Sequence, residues 1–176
     1  MGNDTGGLDD SGLINFNASY DDWQQADVLF VSGTDPFESK TVLFTEFMMK
    51  GPKLIMAVPR RSTGTAWAEA NGGLVLQVIP GTDTLLHLAI SRYIVENGWQ
   101  DQEFIDKWVA SKWDINAGMG RGTRNTPWQW RTTWGQFGTD FEGYREWLLD
   151  NEWATLEKAS EVTGVPAEKI IQAAEM

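Results

Sequence analysis

Three short stretches carry the residue types that could hold a ligand. Gly33-Thr-Asp-Pro36, Pro59-Arg60-Arg61 and Pro80-Gly-Thr-Asp83 each follow an apolar run. Gly33 and Gly81 let backbone N–H groups approach a bound group with no Cβ in the way. Asp35 and Asp83 supply acceptors, and a carboxylate that accepts two bonds matches the adjacent N–H donors of guanine. Arg60 offers a planar fork suited to phosphate, with Arg61 beside it. Gly33, Asp35, Pro59, Arg60, Gly81 and Asp83 are therefore the candidate ligand-contacting residues, and the set suits a purine nucleotide with its phosphates. The same residues also suit turns and helix starts with no ligand at all. Spacing alone does not separate the two readings.

No other constellation offers chemistry of its own. No Gly-x-Gly-x-x-Gly follows the first apolar run, so the common dinucleotide fingerprint is absent. His87 is the single histidine, placed mid-helix by the pattern around it, and reads as a helix-packing residue. The pairs Asp9-Asp10 and Asp21-Asp22 lack a third ligand and read as solvated turns. With no cysteine, a thiolate metal site and a disulfide framework are both excluded in these 176 residues. No catalytic residue and no metal ligand is assigned.

The elements that must position the three loops can be read from periodicity. Ala26–Ser32, Lys53–Val58 and Leu74–Ile79 are short apolar runs that fit buried parallel strands. Between the first two, Glu38–Lys50 has helical spacing, with Val42, Leu43 and Phe47 on one side and Gly51 as its stop. Ser62–Ala70 allows one or two helical turns. Thr82 or Asp83 caps a longer helix to Asn97, with Leu86, Ile90 and Ile94 in its stripe and Gly98 beyond. Asp101 opens a short helix with Phe104, Ile105 and Trp108 as its apolar side. A capping box, Thr139-Asp-Phe-Glu142, starts further helices, which stop at Gly164 and restart at Pro166.

Strand–helix alternation with short connections predicts an α/β fold, a doubly wound, mainly parallel sheet in a Rossmann-like lobe. Right-handed crossovers would put all three post-strand loops along one edge of the sheet. By this reading, 1–19 is an irregular lead-in and 20–110 the nucleotide-binding α/β lobe. A Trp- and Gly-rich insertion occupies 111–138, and 139–176 adds the helical C-terminal part of the same lobe. The ends read as cut from a longer polypeptide. A net charge of −11 argues against nucleic acid as a partner and disfavours anionic lipid. No apolar run approaches the ~20 residues that span a bilayer.

The order of motifs resembles the molybdopterin oxidoreductase (dimethyl sulfoxide reductase) family. It runs Ala26-Asp-Val-Leu-Phe-Val-Ser-Gly-Thr-Asp-Pro36, Pro59-Arg60, Pro80-Gly-Thr-Asp83, Asp101-x-x-Phe104-Ile105, then Val162-Thr-Gly-Val-Pro-Ala-Glu-Lys-Ile-Ile171. The resemblance covers about residues 20–110 and 139–176. It implies a lobe of a catalytic subunit that holds one of two molybdopterin guanine dinucleotides on molybdenum, with Asp83 taking the guanine base. It further implies an iron–sulfur cluster outside these residues, an iron–sulfur electron-transfer subunit as partner, a small oxyanion substrate and a periplasmic setting. Two residues depart from the family pattern. Asp35 stands where Asn is usual, and Val58 stands where an Asp would hold ribose hydroxyls, which puts ribose recognition in doubt.

Gly2-Asn-Asp-Thr, Leu8-Asp-Asp-Ser-Gly12, the Gly33–Thr41 loop and Arg124-Asn-Thr-Pro-Trp-Gln-Trp-Arg131 look most like the arsenic-oxyanion branch of the family. That branch implies arsenite oxidation or arsenate reduction. Formate, thiosulfate, polysulfide and iodate stand as alternative substrates. A non-catalytic relative like the large subunit of respiratory complex I is the other alternative.

Overall fold

The computed structural model describes residues 20–109 and 140–176. The lead-in 1–19 and the expected insertion 111–138, with Trp128, Trp130 and Trp134, lie outside the described residues. Along the chain come α1 (Tyr20–Trp23), β1 (Val28–Ser32), α2 (Pro36–Ser39), α3 (Thr41–Glu46), a 3-10 turn (Met48–Lys50), β2 (Lys53–Val58), α4 (Thr63–Ala70), β3 (Leu74–Gln77), α5 (Asp83–Glu96), α6 (Gln102–Trp108), α7 (Phe141–Asp150), a 3-10 turn (Glu152–Ala154), α8 (Leu156–Thr163) and α9 (Ala167–Glu175). The chain divides into two compact units: Ala18–Trp99 with Leu148–Met176, and Met1–Asn17 with Gln100–Trp147.

The first unit carries the α/β fold. Its three strands form one parallel sheet in the order β1-β2-β3. In the central strand β2, alternate side chains enter opposite cores, as period-two geometry requires. Ile55 and Ala57 join Leu74, Leu76 and Val78 under Leu86, Ala89 and Ile90 of α5, together with Ala159 of α8 and Ile170 of α9. Leu54, Met56 and Val58 face the other way, onto Phe44, Met48 and Ala68. Helices thus cover both faces, which is the doubly wound arrangement. Five successive buried residues in β2 explain its unbroken apolar run.

The expected helix over Glu38–Lys50 is broken into α2, α3 and a 3-10 turn. Lys40 leaves helical geometry at φ −146° and ψ 56°, and Phe47 breaks the chain again. The face is also different from the expected one. Val42 is 74% exposed, whereas Phe44 is fully buried, with its ring edge-on to Phe37 and Trp67. The local break rotates the face, so a 3.6-residue count started at Glu38 arrives at the wrong side chains.

Side chains set the starts of several helices. Ser62 and Thr65 close a reciprocal capping box at α4. Thr155 accepts the Lys158 N–H at α8. Asp140 accepts the Gly143 N–H at the start of α7, 2.9 Å, while Thr139 lies outside the described residues. Gly164 ends α8 at φ +73°, the left-handed conformation that favours glycine. Arg92 on α5 donates to Asn151 C=O at 2.9 Å and Leu148 C=O at 3.4 Å, so its guanidinium meets the carbonyl end of α7.

In the second unit, Asp101 caps α6 by accepting the Phe104 N–H, 2.9 Å. Phe104, expected on the apolar side, is exposed. Along α7 the rings of Phe141, Tyr144 and Trp147 follow one another at i, i+3 and i+6.

The break in the α2–α3 region has a direct test. Phe44→Ala is expected to cost about 3–5 kcal/mol in chemical denaturation of the full polypeptide. Val42→Ala is expected to stay within about 0.5 kcal/mol. Equal losses at the two positions would mean that one continuous helix buries both.

Candidate functional site

Parallel pairing brings the three post-strand loops to one edge. Ser32 of β1 is in register with Ala57 of β2, and Ala57 with Leu76 of β3. Gly33 N–H donates to Ala57 C=O at 3.1 Å, and Val78 N–H donates to Val58 C=O at 3.2 Å. The loops are joined further by side chains that the sequence reading did not single out. Gln77, the last residue of β3, donates from Nε2 to Pro59 C=O, 3.1 Å, and ties the third loop to the second. Glu38 on α2 pairs with Arg60 and ties the first loop to the second.

Each candidate residue has a definite place at this edge. Gly33 and Gly81 are both at positive φ, +70° and +87°, with open space where a side chain would be. Both turns therefore favour glycine, and both leave backbone uncovered. Pro59 and Arg60 are exposed. One guanidinium nitrogen of Arg60 is engaged by Glu38, which leaves the rest of its donor fork for another acceptor. Asp35 is half-buried and accepts the Phe37 N–H at 3.1 Å as the N-cap of α2. Its carboxylate is thus already used in a turn.

Asp83 differs. Thr82 occupies the N-cap position of α5 without a side-chain capping bond, and its hydroxyl instead donates back to Ile79 C=O at 2.7 Å. Asp83 is the first helical residue, half-buried. Among the described residues no hydrogen bond or ion pair engages its carboxylate. The expected cap at Thr82 or Asp83 is therefore not made by a side chain. The N-terminal end of a 14-residue helix favours negative charge at this point. It leaves an acceptor pair at the loop edge with no partner in the described structure.

His87 lies one turn further along α5. It is exposed; its Nε2 is 3.2 Å from Ser32 Oγ, and its ring is 5.1 Å from that of Phe30. The contact brings the start of α5 over the end of β1, the residue before Gly33. His87 thus packs on a strand end and not in the core. The paired arginine, Arg61, is engaged by Glu69 through both nitrogens of its fork. Hydrogen bonding from Arg61 lowers the Glu69 carboxyl below its ordinary value, and the same bond raises Arg61. Arg61 is thereby held on α4.

A cavity of about 440 Å³ opens on the β3 side of the edge, lined by Pro59, Gln77, Ile79, Pro80, Gly164 and Lys169 among others. Of the six candidate residues only Pro59 lines it. Among the described residues no cluster of three metal-ligating side chains occurs, and no helix is long and apolar enough to cross a membrane.

No family profile matches the chain. It is 56% identical over 98% of its length to the iodate reductase subunit IdrA of Denitromonas iodatirespirans, and 51% identical over the same share to the iodate reductase subunit IdrA of a Pseudomonas species. It is 36% identical, over 53% of its length, to the arsenite oxidase subunit AioA of Herminiimonas arsenicoxydans. The chain belongs to the molybdopterin oxidoreductase family. It spans about a fifth of the length of the curated relatives it matches: 19% and 20% of the two iodate reductase subunits and 14% of the arsenite oxidase subunit.

The loop edge depends on one close approach. A Cβ on Gly64, in the first turn of α4, would lie 2.6 Å from the Asp35 carboxylate and 2.9 Å from Phe37 Cβ. Replacing a helical glycine by alanine ordinarily stabilises. Here Gly64→Ala is expected to destabilise the full polypeptide by about 1–3 kcal/mol, because backbone must shift to make room. An unchanged denaturation midpoint would show that the first loop does not press on α4.

Proposed function

We propose that these residues form the lobe that holds the guanine end of a molybdopterin guanine dinucleotide in the catalytic subunit of a molybdenum oxidoreductase, and that its substrate is iodate. Near-complete alignment to two iodate reductase subunits at 51–56% identity carries the substrate reading. The arsenic-oxyanion branch, expected from the resemblance, is the weaker assignment, because the arsenite oxidase subunit matches only half of the chain at 36%.

The residues fit the cofactor's nucleotide end. Asp83 supplies the unpartnered acceptor for the N–H donors of guanine. Gly33 and Gly81 supply uncovered backbone, Pro59 shapes the second loop, and Arg60 supplies charge-assisted donors for phosphate. Asp35 acts on the ligand only with the capacity left over from its cap. When bound, the molybdenum group supplies oxygen-atom transfer chemistry. The lobe's own part is to bind and orient the far end of that group. We assign this role to 20–110 with the helices of 139–176. An iron–sulfur cluster elsewhere in the polypeptide, an electron-transfer subunit and a periplasmic setting complete the proposal.

Because Asp83 makes no capping bond, Asp83→Ala tests ligand binding without removing a cap. In the full polypeptide it is expected to weaken cofactor retention by about 1.5–3 kcal/mol, the range for a charged hydrogen bond. Asp83→Asn is expected to lose retention as well, since its amide offers one acceptor in place of two. The unsubstituted enzyme is expected to oxidise a reduced viologen dye with iodate and not with arsenate, and not to oxidise arsenite. Normal molybdenum and guanine content in both variants would contradict the role of Asp83. Turnover with arsenic oxyanions and none with iodate would contradict the substrate.

A further inference from the structure

Three loops at one edge are separated by three distances, and contacts between neighbours hold two of them. Glu38 pairs with Arg60 across the first and second loops, and Gln77 Nε2 donates to Pro59 C=O, 3.1 Å, across the third and second. The remaining distance runs from the first loop to the third. β2 lies between β1 and β3, so those strand ends are about 10 Å apart, two strand spacings. Gly33 and Gly81 have open space where a Cβ would be, so neither turn has a side chain of its own to brace it.

The start of α5 bridges that distance. Asp83 and His87 are four residues apart on this helix and share a face. His87 Nε2 is 3.2 Å from the Oγ of Ser32, the last residue of β1, directly before Gly33. The His87 ring also lies 5.1 Å from the Phe30 ring, which stands two residues back on the same side of the strand. One side chain of α5 thus meets β1 at two points, a hydroxyl and a ring. Because a hydroxyl both donates and accepts, the bond to Ser32 forms with either tautomer of the imidazole. Among the described residues no other side-chain hydrogen bond joins β1 or its loop to α5.

We propose that His87 is a positioning residue of this site: by holding Ser32 from the first turns of α5, it fixes the separation of the Gly33 backbone and the Asp83 carboxylate. The role rests on the reading of this edge as the guanine-nucleotide site. Glu38 and Gln77 keep neighbouring loops together. His87 sets the opening across them, which a nucleotide touching both the first and third loops has to match. Without the bond the two loops are less well organised before binding, and the ligand must order them itself. That loss is read mainly as faster escape of the bound group.

The rate at which the loaded, full-length polypeptide loses guanine nucleotide at a fixed temperature, followed by chromatography, tests this. His87→Phe keeps a ring against Phe30 and removes the nitrogen. It is expected to lose nucleotide about 3- to 10-fold faster than the unsubstituted polypeptide, the size of one neutral hydrogen bond. Ser32→Ala is expected to match it. The double variant is expected to be no faster than either alone, since all three break the same bond. His87→Gln keeps a nitrogen at similar reach and is expected to stay within about twofold of the unsubstituted rate. Loss at the unsubstituted rate in His87→Phe overturns the inference. So does a double variant whose rate increase is the product of the two single ones, or a His87→Gln rate as fast as that of His87→Phe, because His87 then acts by packing alone. An unsubstituted polypeptide that carries no guanine nucleotide overturns the reading of the site itself, and this role with it.

Discussion

The constraint on which the site depends is the double parallel pairing of β2. Because Lys53–Val58 is hydrogen-bonded in the same sense to β1 on one side and β3 on the other, all three strands end together. Every residue with a claim on the ligand follows one of those ends. β2 is also the most buried strand, with residues in both cores. A change that shifted its register by one residue would exchange the two faces and carry Pro59 and Arg60 away from Gly33 and Gly81.

Around that constraint the edge is braced by polar contacts, each modest by itself. Exposed ion pairs such as Glu38–Arg60 are worth little alone in water. Their consequence here is geometric: Glu38 holds Arg60 against the first loop, and Gln77 holds Pro59 against the third. Asp83 stands apart from this bracing, since its carboxylate has no such partner among the described residues. The net charge of −11 does not oppose an anionic ligand at this point. Backbone N–H groups at glycine turns and at a helix start are local donors, and they act at contact distance.

Much of this was legible locally. β2 coincides with its apolar run because Pro59 stops it, and α9 restarts after Pro166 as expected. The Phe44 face was not legible, because the break at Lys40 has no glycine or proline to mark it. The end of β3, at Gln77 and not at Ile79, is hidden from the sequence for a different reason. Val78 and Ile79 continue the apolar pattern, but Ile79 N–H is taken by Thr163, a partner remote in sequence that no local period reveals. His87 reads as a helix-packing residue from its place mid-helix, but the strand end it packs on, at Ser32 and Phe30, is remote in sequence and no local period reveals it. The substrate was the least legible feature. If this lobe holds the far end of the cofactor, its residues answer to guanine and phosphate, and the oxyanion is met elsewhere in the polypeptide. Three of the four motifs read toward the arsenic branch, Gly2–Thr5, Leu8–Gly12 and Arg124–Arg131, also lie outside the described residues.

The central claim is that this lobe binds a guanine nucleotide belonging to a molybdenum cofactor, and the content of the full polypeptide tests it most directly. Molybdenum analysis together with chromatography of the nucleotides released on denaturation is expected to give guanine nucleotide in proportion to molybdenum, at about two per metal for a bis-dinucleotide cofactor. Full-length, folded polypeptide from molybdenum-replete cells that releases no guanine nucleotide and carries no molybdenum would contradict it.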